Sequence, residues 1–355
     1  MSSKKLDFKK IINRLVLFIG LGVAVHIVFV LSTTERSLLD YLTKLSFGHL
    51  ALISVLMFIP WAAYALRIMI WAHYFKEKIL YSDALRVVIT SDLASALTPT
   101  AVGGAPAKAA LLLNRGFAGP TVGFILTYGV LEDIVFSSTG LVMAAIFSTG
   151  LLTNIGTGLY SFLQSNTLVI TSVSVVIALY IMMIKMDLVP SMFKINTYLP
   201  QKWKDFVANV QKKWSQSVDG MKANFSSVWA NGKLSMVASL GLLFVQWFSK
   251  FSVLLVILNA FHVDFDTIQL YIRQWVVFVT MLFIPTPGAS GGAEASFLVI
   301  FGKSIPKELS FLIVSVWRLF TYYFLLLSAV AFYILISFAM RSQEEVVIGD
   351  VDTSE

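Results

Sequence analysis

Charged residues inside long apolar stretches are the part of this sequence with the clearest chemistry. Lys250 and Arg318 both stand deep within apolar runs that are long enough to cross a membrane. A charged side chain costs at least about 2–3 kcal/mol at the centre of a bilayer, so such residues face a cavity or one another. Together with the N-termini of nearby half-helices, the two cations predict a pocket for one phosphate group.

Six further charged residues lie in or beside the apolar stretches: Arg67, Asp92, Lys108, Glu132, Asp133 and Glu294. We expect Lys108 and Glu294 to contact the substrate, because each flanks a Gly-Gly pair. The other four have two interpretations. They are coupling or gating residues, or they form internal salt bridges, such as Arg67 with Glu132, that hold a helix bundle together. Arg67 and Lys108 could also extend to the cytoplasmic interface.

A helix-breaking motif occurs twice in the apolar sequence. "TPTAVGGAPA" at 98–107 and "TPGASGGAEA" at 286–295 share T-P-x-A-x-G-G-A-x-A, with seven identities in ten positions. Broken backbone at membrane depth persists only where it is buried in protein or lines a wet cavity. Two matched copies favour a central substrate site over glycines that merely permit tight helix packing. The motif residues predicted to bind substrate are Thr98, Gly103, Gly104, Thr286, Gly291 and Gly292.

The composition excludes a soluble domain. Apolar residues make up 57% of the chain and charged residues 13%, with a mean hydropathy of +0.80, whereas a soluble domain carries about a quarter charged residues. Cysteine is absent and the four histidines form no ligand-spaced pair, so we expect no metal or other cofactor. No G-x-x-x-x-G-K-[ST] loop is present, which argues against ATP hydrolysis. The net charge of +7 could suggest nucleic acid, but in a membrane protein the distribution of the charge between loops decides, and we expect no nucleic-acid partner.

The apolar runs and the lysines between them predict a topology. Six runs are long enough to span a bilayer, at about 15–32, 50–73, 120–149, 167–185, 234–261 and 308–340. Two others, at about 85–113 and 268–301, contain the breaks. The N-terminus, the segment after 50–73 and the loop at 185–233 are rich in lysine, which places them and both termini on the cytoplasmic side of the cell membrane. This layout is consistent only if each broken run is a re-entrant hairpin.

The fold class predicted from these features is an all-α polytopic membrane protein. It has about six full spans plus two re-entrant broken-helix hairpins, arranged as an inverted repeat over 50–149 and 234–340. We expect a single membrane domain at 1–341 and a disordered, acidic cytoplasmic tail at 342–355.

The loop before the second repeat contains an amphipathic segment. Between 199 and 229, apolar residues recur at spacings of three and four, and lysines lie mostly off that face. Two interpretations fit a cytoplasmic helix of this kind. It lies on the anionic leaflet surface, or it packs on the underside of the protein itself.

Several of these stretches resemble one membrane-protein family. "PTPGASGGAE" at 285–294, "YALRIMIW" around Arg67, "VLEDIVF" and "VWRLFTYY" at 316–323 are similar to the membrane domain of lysylphosphatidylglycerol synthases, the multiple peptide resistance factors, and to stand-alone flippase-like relatives. The resemblance implies a domain that moves a lipid between leaflets. The first Gly-Gly pair departs from the pattern, because Ala105-Pro106-Ala107 follows where relatives often place an acidic residue. No soluble acyltransferase-type domain follows, so the resemblance does not extend to aminoacyl transfer to lipid.

Three functions are compatible with the sequence. The leading hypothesis is a non-enzymatic lipid flippase or transporter that binds an anionic headgroup at a midplane site. An alternative is a membrane-embedded transferase acting on a lipid-linked substrate, with Glu132 or Asp133 as general base, although no loop is long enough to build a second substrate site. A third is a scaffold partner of a lipid-synthesising enzyme, with 199–229 as the docking surface.

Overall fold

Helices are the only regular secondary structure in the described part of the protein, and turns and loops connect them. The computed structural model describes residues 43–98, 103–147, 201–284, 286–302 and 304–335, and within them the side chains of all residues except 97, 201–215 and 287. The helices are α1 Phe47–Tyr74, α2 Tyr81–Leu97, α3 Gly104–Asn114, α4 Gly119–Phe147, α5 Gln201–Asn231, α6 Lys233–Ala260, α7 Thr267–Met281, α8 Gly292–Phe301 and α9 Lys307–Arg318. The chain continues from α9 through a π-helical segment, Leu319–Phe324, to Leu335.

Four helices are long and apolar enough to cross a membrane. They are α1, α4, α6 and the helix formed by α9 and its continuation, with 28, 29, 28 and 29 residues. The sequence-based spans at 50–73, 120–149, 234–261 and 308–340 are thereby confirmed as long apolar helices, and the chain is a multi-pass membrane protein. The predicted spans at 15–32 and 167–185 and the acidic tail at 342–355 lie outside the described residues.

The described helices form two units of matching design. In the first unit, α2 and α3 have 17 and 11 residues and stand between the long helices α1 and α4. In the second, α7 and α8 have 15 and 10 residues and stand between α6 and α9. At about 1.5 Å per residue, none of these four short helices reaches across a hydrocarbon core of about 30 Å. The helices of each short pair pack on each other, while their re-entrant course through a membrane stays a prediction.

The first long helices of the two units, α1 and α6, pack along each other and join the units. Ile53 and Met57 of α1 are buried in the same cluster as Val253 and Leu254 of α6. Because dispersion contacts hold apolar helices together in lipid, this close packing is the main connection between the two halves.

A proline in α1 is accommodated by this same interface. Pro60 has no backbone N–H, so it cannot bond the carbonyl of Leu56 four residues earlier. The hydroxyl of Ser249, on α6, donates to that carbonyl instead. A polar group that would be unsatisfied at membrane depth is therefore bonded by the neighbouring helix.

The amphipathic segment is a helix, α5, whose described side chains pack on α4. The Met221 sulfur lies 3.7 Å from Thr127 Oγ1, and the Phe225 and Phe124 ring centroids are 4.7 Å apart. Val228 is buried in this interface. The second half of α5 therefore packs on the protein itself, as the second interpretation predicted. Contact between the first half of α5 and a leaflet stays a prediction.

Candidate functional site

A cavity of about 380 Å³ lies between the two units. Its walls come from α1, α2, α6, α7, α9 and the second break. The polar residues that line it are Asp92, Ser95, Lys250, Gln274, Thr286, Arg318, Thr321 and Tyr322. Most of the remaining wall is apolar or aromatic, with Trp61, Trp247 and Phe251 among the lining residues. A cavity of this kind, apolar with a few converging polar groups, is typical of a small-ligand site.

Arg318 joins α9 to the second break. Its Nε donates to Glu294 Oε1 at 2.7 Å, and Nη2 donates to the Gly288 carbonyl at 3.0 Å. The guanidinium carbon lies 4.7 Å from the centre of the Tyr322 ring. Although it lines the cavity, Arg318 is 2% exposed, so its charge is held in place by these contacts and is not free to turn away.

The second break has a backbone that requires small residues. Gly288 and Gly291 have φ values of 59° and 81°, in the left-handed region that favours glycine. Ala289 also has a positive φ, 53°, a strained conformation of a kind that concentrates at functional sites. A Cβ on Gly288 would lie 2.1 Å from the Tyr322 ring, and Thr286 Oγ1 donates to the Ser290 carbonyl at 2.9 Å.

The first break is closed by a threonine side chain. Thr98 Oγ1 accepts a hydrogen bond from the Gly103 N–H at 2.8 Å and donates to the Ala94 carbonyl at 2.9 Å. A Cβ on Gly104 would lie 1.9 Å from Ser95 Oγ, so this glycine permits α3 to approach α2 closely. The predicted residues Thr98, Gly103 and Gly104 therefore shape the break and do not line the cavity.

The two breaks approach each other across the cavity. The Tyr322 hydroxyl donates to the Ala96 carbonyl at the end of α2, at 3.2 Å. Tyr322 also packs over Gly288, so one side chain contacts both the end of the first short helix and the second break. The π-helical segment that contains Tyr322 begins directly after Arg318, and such segments are frequent at functional sites.

Lys250 is the second cation of the cavity, and it differs from Arg318 in its contacts. Its ammonium lies 4.8 Å from the centre of the Trp247 ring. Throughout the described ranges, no carboxylate lies within 4.0 Å of it. Asp92 and Asp133 are the acids whose charges act on Lys250. Asp92 Oδ2 accepts a hydrogen bond from Trp61 Nε1 at 2.9 Å.

A second polar cluster lies in the first unit. Arg67 and Glu132 form an ion pair, and both are buried. Arg67 Nη1 also donates to Gln246 Oε1 at 3.2 Å. Lys108 contacts the Tyr64 hydroxyl, and its ammonium lies 3.9 Å from the centre of that ring. The geometry of Arg67 and Glu132 matches the salt-bridge interpretation, and neither lines the cavity.

The structure thus separates the predicted site residues into three groups. Asp92, Lys250, Thr286 and Arg318 line the cavity, with Glu294 at its edge through Arg318. The residues that shape the two breaks are Thr98, Gly103, Gly104, Gly291 and Gly292. The residues of the second polar cluster are Arg67, Lys108, Glu132 and Asp133. Asp133 interacts electrostatically with Arg67, Lys108 and Lys250.

Sequence reasoning missed much of the cavity wall, including Trp61, Trp247, Gln274 and Tyr322. Two of them had a usable signal. Trp247 precedes Lys250 by three residues and Tyr322 follows Arg318 by four, so each aromatic ring lies on the same helix face as a cavity cation. Gln274 and Trp61 carried no such signal, because their positions depend on how the helices pack.

The fold and cavity define a class of protein, a multi-pass membrane protein whose broken helices surround a central polar cavity. Residues 17–329 match the model of the family described as the lysylphosphatidylglycerol synthase TM region, and the chain belongs to this family. The resemblance inferred from the motifs is therefore confirmed. A UPF0104 membrane protein of Archaeoglobus fulgidus is 26% identical over 269 residues, which cover 74% of this chain and 79% of that protein.

Proposed function

We propose that this protein is a flippase or transporter that binds the phosphate of an anionic lipid headgroup in the cavity and moves the lipid between leaflets. The observation that carries the proposal is that Lys250 and Arg318 line one cavity beside the second break. Hydrogen bonds from a cation to a phosphate oxygen are short and strong, and a desolvated cavity strengthens them further. Lys250 would bond the phosphate directly, and Arg318 would add its positive charge from the cavity wall.

An apolar groove beside the cavity supports a lipid as the substrate. The groove has a volume of about 420 Å³ and runs between α1, α2 and the continuation of α9, lined by residues that include Phe58, Ile89 and Phe332. Trp61 lines both the groove and the cavity. In this arrangement the cavity takes the headgroup, while the groove takes the start of an acyl chain whose remainder stays in the bilayer.

The two matching units suggest how the site would open to each leaflet. In an inverted repeat, rocking of one unit against the other exposes a midplane site alternately to the two sides. We place both termini and α5 on the cytoplasmic side of the cell membrane, where the basic first half of α5 would contact anionic lipid. A lipid-synthesising enzyme that supplies the substrate is the protein partner that this activity would call for.

Lipid exchange in reconstituted vesicles tests the proposal. The wild-type protein is compared with Lys250→Gln and with Lys307→Gln, a matched control at an exposed position outside the cavity. Loss of a charged hydrogen bond costs about 1.5–3 kcal/mol, so Lys250→Gln should slow exchange of fluorescent phosphatidylglycerol roughly 10- to 100-fold. Lys307→Gln should exchange at the wild-type rate. Wild-type vesicles that exchange no faster than protein-free vesicles would overturn the proposal.

A further inference from the structure

The charged side chains of the cavity and of the second polar cluster balance one another. Four cations and four carboxylates form this set in the described helices: Arg67, Lys108, Lys250, Arg318, Asp92, Glu132, Asp133 and Glu294. Arg273 does not belong to it, because it bonds the Ile300 carbonyl in the last turn of α8, at the end away from the break. A phosphate that enters the cavity adds a negative charge to a set whose eight formal charges already cancel.

Two of the four carboxylates are already paired. Glu132 contacts Arg67, and Glu294 contacts Arg318. Asp133 has no cation within 4.0 Å in the described ranges, but the charges of Arg67 and Lys108 act on it together with that of Lys250. These three carboxylates keep a neighbouring positive charge when Lys250 is occupied by a ligand.

Asp92 differs from these three carboxylates in the positive charge that it depends on. It lines the cavity with Lys250, and its charge is among those that act on that ammonium. The other cation of the cavity, Arg318, is held by Glu294. A phosphate bound to Lys250 would therefore compete with Asp92 for the same positive charge. A bound phosphate and an ionised Asp92 would repel each other as like charges in one cavity, and protonation of the carboxylate removes that repulsion.

We propose that Asp92 takes up a proton when a headgroup phosphate binds Lys250, so that an anionic lipid crosses the membrane together with a proton. The proton comes from water on one side, forms an O–H bond on the Asp92 carboxylate, and returns to water on the other side, while the phosphodiester keeps its charge. Asp92 is exposed within the cavity, so water reaches it. This inference rests on the proposed transport function.

The other groups around Asp92 are consistent with this role. Trp61 from α1 donates its N–H, a bond that either protonation state of the carboxylate can accept. Lys250 from α6, Arg318 from α9 and Tyr322 from the π-helical segment after α9 line the same cavity, and Gln274 is the polar residue that α7 contributes. No second carboxylate within the described residues lines the cavity, so Asp92 is its acid that can change charge.

Vesicles with a pH gradient test the coupling. Neutral phosphatidylcholine vesicles contain the full chain and fluorescent phosphatidylglycerol, with protein-free vesicles as baseline. A difference of about one pH unit corresponds to about 1.4 kcal/mol. The wild-type protein should therefore enrich the lipid up to about tenfold in the leaflet that faces the alkaline side. In Asp92→Asn, the distribution of the lipid between the leaflets should no longer depend on the gradient, whatever rate of exchange remains. Asp219→Asn, at an exposed position on α5, should behave as wild type.

The possible failures of this experiment are distinguishable. If the wild-type protein exchanges the lipid but the gradient does not change its distribution, the coupling is wrong and the transport function is unaffected. The same conclusion follows if Asp92→Asn keeps the response to the gradient. Absence of wild-type exchange would overturn both. If Asp92→Asn does not fold, calorimetry of dihexanoylphosphatidylglycerol binding to the wild-type protein, in two buffers of different ionisation enthalpy, counts protons directly. Uptake of a proton on binding is expected, and no uptake would contradict the proposal.

Discussion

Arg318 donates its Nε to Glu294 Oε1 at 2.7 Å, and this contact ties α9 to the first turn of α8 directly after the second break. The carboxylate lies at a helix N-terminus, where the helix dipole favours negative charge, and it also pairs with a buried cation. The pair therefore fixes the position of the half-helix relative to the cavity. Glu294 acts on the cavity through Arg318, which makes it a positioning residue.

Removal of Glu294 should destabilise the protein more than neutralisation of its charge. Glu294→Ala leaves the Arg318 guanidinium buried without its partner, which costs about 3–5 kcal/mol. Glu294→Gln keeps an oxygen that accepts from Nε and should cost roughly half of this or less. Unfolding in mixed micelles measures both free energies. Glu308→Gln, at an exposed position in the first turn of α9, is the control, and equal losses for the two Glu294 variants would contradict the prediction.

The two glycines of the second break should tolerate alanine differently. A Cβ on Gly288 would meet the Tyr322 ring at 2.1 Å, whereas a Cβ on Gly291 has no atom within 4 Å. Both have positive φ, so alanine is strained at either position, but only at Gly288 is a steric clash added to the strain. Gly288→Ala should therefore lower the melting temperature further than Gly291→Ala.

The Tyr322 ring provides the control for this comparison. Gly288→Ala combined with Tyr322→Ala removes the clash and leaves the backbone strain, so the loss that Gly288→Ala adds in that background should be smaller than its loss in the wild-type background. If Gly288→Ala lowers the melting temperature no further than Gly291→Ala in the wild-type background, the Tyr322 ring does not pack closely on Gly288.

Much of the fold could be predicted from the sequence because its signals are local. Apolar runs predicted the four long helices, and the repeated motif predicted where the short helices end, since Pro and Gly interrupt a helix wherever they occur. The contact between Arg67 and Glu132 was foreseen because only a limited set of opposite charges lies at membrane depth. The Arg318–Glu294 contact was not foreseen, because it depends on how the chain folds back at the break.

The cavity itself was harder to predict, for a physical reason. Asp92, Lys250 and Arg318 come from α2, α6 and α9, and their shared cavity is a result of helix packing that no short sequence window contains. The spacing of Tyr322 from Arg318 indicates a shared helix face, but its contacts with Ala96 and Gly288 depend on how the two units pack. The glycines were predicted as substrate contacts, which stays a prediction; in addition, Gly104 and Gly292 permit close packing around the breaks.

The bond between Ser249 and the Leu56 carbonyl should matter only when Pro60 is present. With Pro60, Ser249→Ala leaves that carbonyl unsatisfied at membrane depth and should cost about 1–3 kcal/mol. Pro60→Ala restores an N–H that can bond the carbonyl within α1, so Ser249→Ala in that background should cost little. A double-mutant cycle on unfolding free energies measures the coupling. Additive losses would show that the two residues act independently.

Filling the apolar groove should separate headgroup binding from movement of the whole lipid. Ala331 lines the groove and does not line the cavity, so Ala331→Trp would occupy the space proposed for an acyl chain and leave Lys250 and Arg318 in place. We expect exchange of long-chain phosphatidylglycerol to fall at least about tenfold, because loss of even two buried methylene groups costs about 1.6 kcal/mol. Binding of dihexanoylphosphatidylglycerol, measured by calorimetry in detergent, should change less than about twofold.

Ala295→Trp, at an exposed position on α8 outside both the groove and the cavity, controls for the added bulk. Long-chain exchange at the wild-type rate in Ala331→Trp would show that the acyl chain does not use this groove, whereas a parallel loss of short-chain binding would mean that the groove and the cavity are not separate subsites.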